Sequence, residues 1–177
     1  MLDSYLGEGL GGVCFVGICG MGGIGKTTLA QEIYNKISSR FEASSFIANV
    51  REENRNKGLV SLQKQLLSKI LMESKINIWD FHKGINLIGN TLHYKKVFVV
   101  LDDGDREEQL RALAGKHDWF GPGNRIIVTS RDSPLLIRCG VNDIYTTKGL
   151  NKDDALQLFS WQAFNKPHLE KKICGFD

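Results

Sequence analysis

No stretch of this chain approaches the roughly twenty apolar residues needed to span a bilayer. Nor does it open like a secretory leader, since Met1-Leu2-Asp3-Ser4-Tyr5 is not a basic segment followed by an apolar one. Both absences point to an intracellular protein. The four cysteines, Cys14, Cys19, Cys139 and Cys174, form no C-x-x-C pair, and the four histidines show no zinc-like spacing against them. Cys14 and Cys19 fall in a strand-like run, where a reduced cysteine acts as a small apolar residue. Single-sign charge blocks are missing too. The 23 basic residues face 20 acidic ones for a net charge of +3, which argues against a nucleic-acid surface and a charged, disordered tail. There is no internal repeat and no low-complexity segment.

What the chain does have is an ordinary globular composition, 42% hydrophobic and 24% charged over 177 residues. A domain of that size can hold itself together through its core alone. Val13-Cys14-Phe15-Val16-Gly17-Ile18 reads as a strand covered on both faces. After a glycine-rich turn, Lys26 to Ser39 is predicted to be a helix with Leu29, Ile33 and Ile37 on one stripe. Ser45 to Val50 is a second strand candidate. Helical spacing recurs at Leu59, Leu62, Leu66 and Ile70, and again at Ile85, Ile88 and Leu92. Val97-Phe98-Val99-Val100-Leu101 is the strongest strand signal, Arg125 to Thr129 follows the turn Gly121-Pro122-Gly123-Asn124, and Ile144-Tyr145 adds a short last strand. Asn151 is placed to cap a final helix, with Asp153 and Asp154 in its first turn. Apolar strands alternating with amphipathic helices predict an α/β fold with a parallel sheet.

Between the first strand and the first helix, Gly20-Met21-Gly22-Gly23-Ile24-Gly25-Lys26-Thr27 fits G-x-x-x-x-G-K-[ST] at every constrained position. A polyphosphate needs several backbone N–H donors converging on it, and glycines let the chain wrap that closely. The helix N-terminus adds its positive end. Lys26 is expected to reach the β and γ phosphates, Thr27 to place its hydroxyl on Mg²⁺, and Thr28 to add a phosphate hydrogen bond. The ligand is therefore expected to be a purine nucleotide, ATP or ADP with Mg²⁺. A bare glycine-rich turn without a ligand is the bland alternative.

Asp102 and Asp103 end the strongest strand, the context of a Walker B element. Asp102 is the candidate for a magnesium-bound water. Asp103 is the candidate to orient or deprotonate an attacking water. A solvated acidic turn is the competing explanation. Arg131 follows the strand Arg125–Thr129, on the ligand side of an open α/β sheet, where its planar fork suits a γ-phosphate. Alternatively it makes a surface salt bridge to Asp132 or Asp105.

Taken together, Gly17–Thr28, Leu101–Asp105, Gly121–Asp132 and Ala155–Phe164 resemble the NB-ARC domain of plant disease-resistance receptors. Asp105 and the phrase Phe46–Glu52 are similar to the branch that carries an N-terminal TIR domain. The resemblance implies a P-loop NTPase in which 1–150 form the nucleotide-binding subdomain and 151–177 the start of the first helical ARC subdomain. It further implies a switch that rests with ADP, takes up ATP when a pathogen effector is sensed, and oligomerises to signal immunity. Expected partners are ADP or ATP and, in a whole receptor, its own TIR and leucine-rich-repeat domains and further receptor copies, in the cytoplasm with the nucleus not excluded. The usual glycine-leucine-proline-leucine motif does not follow Phe164, so the resemblance is to a fragment. Gly104 stands where the family usually has valine. Two other classes remain open at this point: a P-loop kinase or AAA-type ATPase, and an interaction fragment that binds no nucleotide. Any catalysis is expected to be slow Mg²⁺-dependent ATP hydrolysis, with Asp103 and Lys26 taking part.

Overall fold

The computed structural model describes residues 12–115 and 117–164. Its chain divides into two compact units, Met1–Thr147 and Lys148–Asp177.

In the first unit, β1 (Cys14–Cys19) leads through the glycine-rich loop into α1 (Lys26–Ile37) and a short 3-10 turn at Ser38–Arg40. Next come β2 (Ala43–Ile47), α2 (Val50–Lys57), α3 (Leu59–Leu71), α4 (Phe81–His93) and β3 (Val97–Leu101). The unit continues with α5 (Glu107–Ala114), a 3-10 turn at His117–Trp119, β4 (Arg125–Ser130), α6 (Ser133–Arg138) and β5 (Asp143–Thr146). The five strands form one sheet, every pairing parallel, in the order β2-β3-β4-β1-β5.

This is the expected parallel α/β sheet, and it is buried on both faces because alternate strand residues feed two separate cores. Val97, Val99 and Leu101 point into a cluster with Leu62, Leu66, Ile70, Ile88, Leu92 and Leu113 from α3, α4 and α5. Phe98 and Val100 point the other way, onto Ala30, Ile33 and Ile37 of α1. With both faces covered, β3 has no reason to alternate in polarity, and all five of its residues are fully buried. Both β1 thiols are buried as expected, and burial pushes the Cys14 thiol above its ordinary pKa.

One expectation fails at β2. The strand candidate Ser45–Val50 is in fact a strand at Ala43–Ile47, and Val50 is the first residue of α2. Asn49 causes the break: it adopts φ 51°, a left-handed conformation that asparagine tolerates better than most residues, and turns the chain out of the sheet. The predicted Lys26–Ser39 helix likewise stops at Ile37 and tightens into the 3-10 turn.

In the second unit, α7 spans Lys152–Phe164. Asn151 caps it as predicted, its Oδ1 accepting the Asp154 N–H at 2.8 Å, with Asp153 and Asp154 in the first turn. The unusual ending Ile173–Asp177 lies outside the described residues.

Candidate nucleotide site

The sheet register brings three loops to one level. Ile18 of β1 stands beside Thr129 of β4, and Leu101 of β3 beside Val128. The loop after β1, the acidic pair after β3 and Arg131 after β4 therefore all leave the sheet at its carboxyl edge, where ligands of open α/β sheets bind.

Gly20–Gly25 wraps into the start of α1 with Gly23 at φ 77° and Gly25 at φ 94°, values a side chain would strain against. Gly25 is the N-cap residue and supplies no side-chain cap. The first-turn N–H groups of Lys26, Thr27 and Thr28 thus have no capping acceptor from it. Ile24, within the loop, is half-buried. Lys26 is nearly buried, and its Nζ donates to the carbonyls of Gly20 and Met21, each at 2.8 Å. Burial, followed by the positive charge of Arg131, lowers its ammonium below the ordinary 10.5.

Asp102 is fully buried. Its Oδ1 accepts the Thr27 hydroxyl at 2.8 Å and the Thr129 hydroxyl at 2.7 Å, while its Oδ2 is buried with no hydrogen-bond partner. A buried, unmatched carboxylate oxygen is costly unless something meets it. An oxygen donor pair such as Asp102 with Thr27 suits a hard cation like Mg²⁺, which takes few protein ligands and completes its shell with water and phosphate. No group of three His, Cys, Asp or Glu residues that could hold a metal occurs among the described residues, so an all-protein metal cage is not built here.

Asp103 has a different environment. It adopts φ 55°, its N–H donates to Thr129 Oγ1 at 2.9 Å, and its carboxylate faces two arginines. Arg51 NH2 lies 2.9 Å from Oδ2, and Arg131 Nε lies 3.8 Å from Oδ1. Arg131 thus neighbours Asp103 rather than Asp132 or Asp105. Asp132 caps α6 by accepting the Leu135 N–H at 3.1 Å, and Asp105 accepts from Gln109 Nε2 at 2.9 Å. The Arg131 guanidinium lies over Gly22, where a β-carbon would come within 3.1 Å of its Cζ.

A cleft of about 360 Å³ is lined by Gly22, Gly23, Gly25, Lys26, Thr27 and Thr28 with Asp103, Thr129, Arg131, Asn49 and, from α2, Arg51 and Glu52, while Asp102 lies buried behind Thr27. No apolar side chain is among them. The cleft is shaped for phosphate and cation rather than for an aromatic base.

Residues 3–169 match the NB-ARC domain. The chain belongs to the NB-ARC family. "Disease resistance protein RUN1" of Vitis rotundifolia is 44% identical over 155 residues, covering 87% of this chain and 12% of that protein. "Disease resistance protein RPV1" of the same organism is also 44% identical over 155 residues, covering 87% and 11%. "TMV resistance protein N" of Nicotiana glutinosa is 40% identical over 173 residues, covering 93% and 15%. The chain spans 11–15% of the length of these three relatives. Family membership brings nucleotide binding with it, on a P-loop NTPase fold.

Within this NB-ARC domain the structure brings Gly20–Thr28, Asp102, Asp103 and Arg131 together, and adds two residues that sequence reasoning did not assign. Thr129 reads as one more member of a buried strand, yet its hydroxyl bonds Asp102 and receives the Asp103 amide. Its place near the end of β4, level with the acidic pair, is set by the register of β3 against β4 and has no local signal in the sequence. Arg51 sits in the very charged α2, where nothing local separates it from Arg55 or Lys57. At Gly104, the departure from valine, a β-carbon would come within 2.8 Å of Leu110 Cδ2, so a larger residue needs the Leu110 side chain to shift. No helix among the described residues is long and apolar enough to cross a membrane.

Proposed function

We propose that this NB-ARC domain binds ADP or ATP with Mg²⁺ and serves as the nucleotide-controlled switch of a cytoplasmic plant immune receptor, hydrolysing ATP slowly. Asp102 carries the assignment, because its buried Oδ2 has no partner while its Oδ1 is held by Thr27 at the mouth of the phosphate loop. Thr27 and Asp102 are the residues that would hold Mg²⁺, which would supply positive charge to offset that of the phosphates. Lys26 exchanges the carbonyls of Gly20 and Met21 for phosphate oxygens. The amides of Gly22, Gly23, Ile24, Gly25, Thr27 and Thr28 contribute donors around the phosphates, while Gly20 lets the loop begin against Thr147. Arg131, half-exposed and loosely held, turns to the terminal phosphate. Asp103 orients the attacking water and accepts its proton.

In this reading residues 151–177 begin the first helical ARC subdomain. TIR and leucine-rich-repeat domains of the same receptor, and other receptor copies, are the partners. The resemblances to disease-resistance proteins support the immune setting, and the polar cleft supports the ligand. Mass spectrometry of the nucleotide that copurifies with the folded protein tests it. Bound ADP is expected. An empty protein that takes up neither ADP nor ATP at millimolar concentration with Mg²⁺ would refute the assignment.

A further inference from the structure

Two arginines hold Asp103 unequally. Arg51 makes the short contact and is 30% exposed in its side chain, whereas Arg131 stands 3.8 Å away and is 54% exposed. Arg51 is also anchored through its backbone. The left-handed turn at Asn49 aims the start of α2 at the end of β3, so that the Val50 N–H donates to the Asp102 carbonyl at 2.8 Å and the Arg51 N–H to the Asp103 carbonyl at 3.2 Å. The residue gripping the Asp103 carboxylate is thus tied to the Asp103 main chain as well. Arg55, one turn further along α2, is different: it is 65% exposed and reaches Asp105 only at 3.9 Å, the ordinary case of a surface pair that contributes little.

The geometry has an electrostatic consequence in the phosphate cleft, which Asp103, Arg51 and Arg131 all line. A terminal phosphate entering there meets a carboxylate of its own sign. While Arg51 balances that carboxylate, Arg131 is left to turn to the phosphate. Remove Arg51, and Asp103 both repels the phosphate and competes for Arg131. A diphosphate stops short of this point and feels much less of either effect.

We propose that Arg51 is a positioning and specificity residue of this site: by neutralising and fixing Asp103 it lets the cleft accept a third phosphate. This rests on reading the cleft as an ADP/ATP site. The test compares wild type, Arg51→Ala, Arg51→Lys, Arg55→Ala and the double variant Arg51→Ala/Asp103→Asn. Each is titrated calorimetrically with ADP·Mg²⁺ and with a non-hydrolysable ATP analogue·Mg²⁺, and assayed for single-turnover ATP hydrolysis. Arg51→Ala should lose roughly tenfold in affinity for the analogue and no more than about twofold for ADP. Arg51→Lys should regain part of that loss, since it keeps the charge without the planar fork. Arg55→Ala should match wild type. The double variant should recover analogue affinity, because the repelling charge has gone, yet remain slow in hydrolysis. Equal losses for ADP and analogue would reduce Arg51 to a structural role, and a double variant as weak as Arg51→Ala would remove the charge argument; either result overturns the proposal. Wild type failing to bind ADP would overturn the nucleotide reading itself, and this proposal with it.

Discussion

Replacing Thr129 with valine tests the architecture of the site through stability alone, without any ligand. The side chain is fully buried and valine matches its shape, so the change removes little besides the hydroxyl. Two hydrogen bonds go with it: the one donated to Asp102 Oδ1 at 2.7 Å and the one received from the Asp103 N–H at 2.9 Å. A hydrogen bond to a charged group contributes about 1.5–3 kcal/mol, and a buried N–H left unpaired costs about 1–3 kcal/mol. Valine's extra apolar methyl returns less than about 1 kcal/mol. Asp103 is partly exposed, so water relieves some of its amide's loss, and a net destabilisation of about 3 kcal/mol follows. In a chain of this size that lowers Tm by roughly 6–12 °C. Thr27→Val is the matched control. Thr27 is exposed, so loss of its single bond to Asp102 should cost about 1 kcal/mol or less. The assay is urea unfolding of the nucleotide-free protein, with the slope m checked for constancy. The two variants should swap rank when affinity for ATP·Mg²⁺ is measured, Thr27→Val being the worse. A loss below about 1 kcal/mol for Thr129→Val, or one no larger than that of Thr27→Val, would show that Thr129 does not hold the acidic pair in place.

Lys26→Ala should abolish most phosphate affinity while changing stability by no more than about 1 kcal/mol, since the lost bonds to Gly20 and Met21 are offset by relief of a buried charge; unchanged affinity for ADP, with circular dichroism as the control for folding, would refute its role. Asp103→Asn should slow single-turnover hydrolysis with little loss of ADP binding, and hydrolysis at the wild-type rate would remove Asp103 from the reaction. Because burial lowers the Lys26 pKa, the protonated lysine opposes folding at neutral pH, and that opposition fades as pH rises through the lowered value. Nucleotide affinity should fall over the same rise, starting below pH 10.5, the ordinary lysine value, and the alkaline loss should be missing from Lys26→Ala. Gly22→Val should weaken nucleotide binding by pushing the Arg131 guanidinium off the loop, with ADP and ATP titrations as the readout.

What the sequence made legible was whatever depends on neighbours along the chain. The glycine loop needs its lysine six residues on, β3 needs only its unbroken apolar run, and the cap at Asn151 needs only the three residues that follow. The boundary of β2 was hidden because Phe46-Ile47-Ala48-Asn49-Val50 is apolar except at Asn49, like a buried strand; the left-handed turn at Asn49 sends Val50 into a helix instead, fixed by a bond to the Asp102 carbonyl. Sheet order was hidden for the same kind of reason. Placing β4 between β3 and β1 depends on pairings such as Val16 with Ile127 that no local pattern encodes. Thr129 and Arg51 were illegible as site residues because their roles come from Asp102 and Asp103, which reach them only through the folded register.

The strand that carries the phosphate loop also holds two natural chemical probes. Cys14 and Cys19 mark the two ends of β1, and Cys19 is hydrogen-bonded into the sheet on both sides, beside Ser130 and Thr146. Cys14 pairs with Arg125 of β4, ahead of the point where β5 joins at Val16, and burial keeps its thiolate scarce. Both side chains are buried, so a maleimide reaches neither sulfur until the packing around β1 opens. With Cys139 and Cys174 changed to serine, labelling at each position becomes a clock for one end of β1. Cys19 adjoins Gly20, so a ligand that clamps the loop should retard labelling there more than at Cys14, showing where along the strand the ligand's grip is felt.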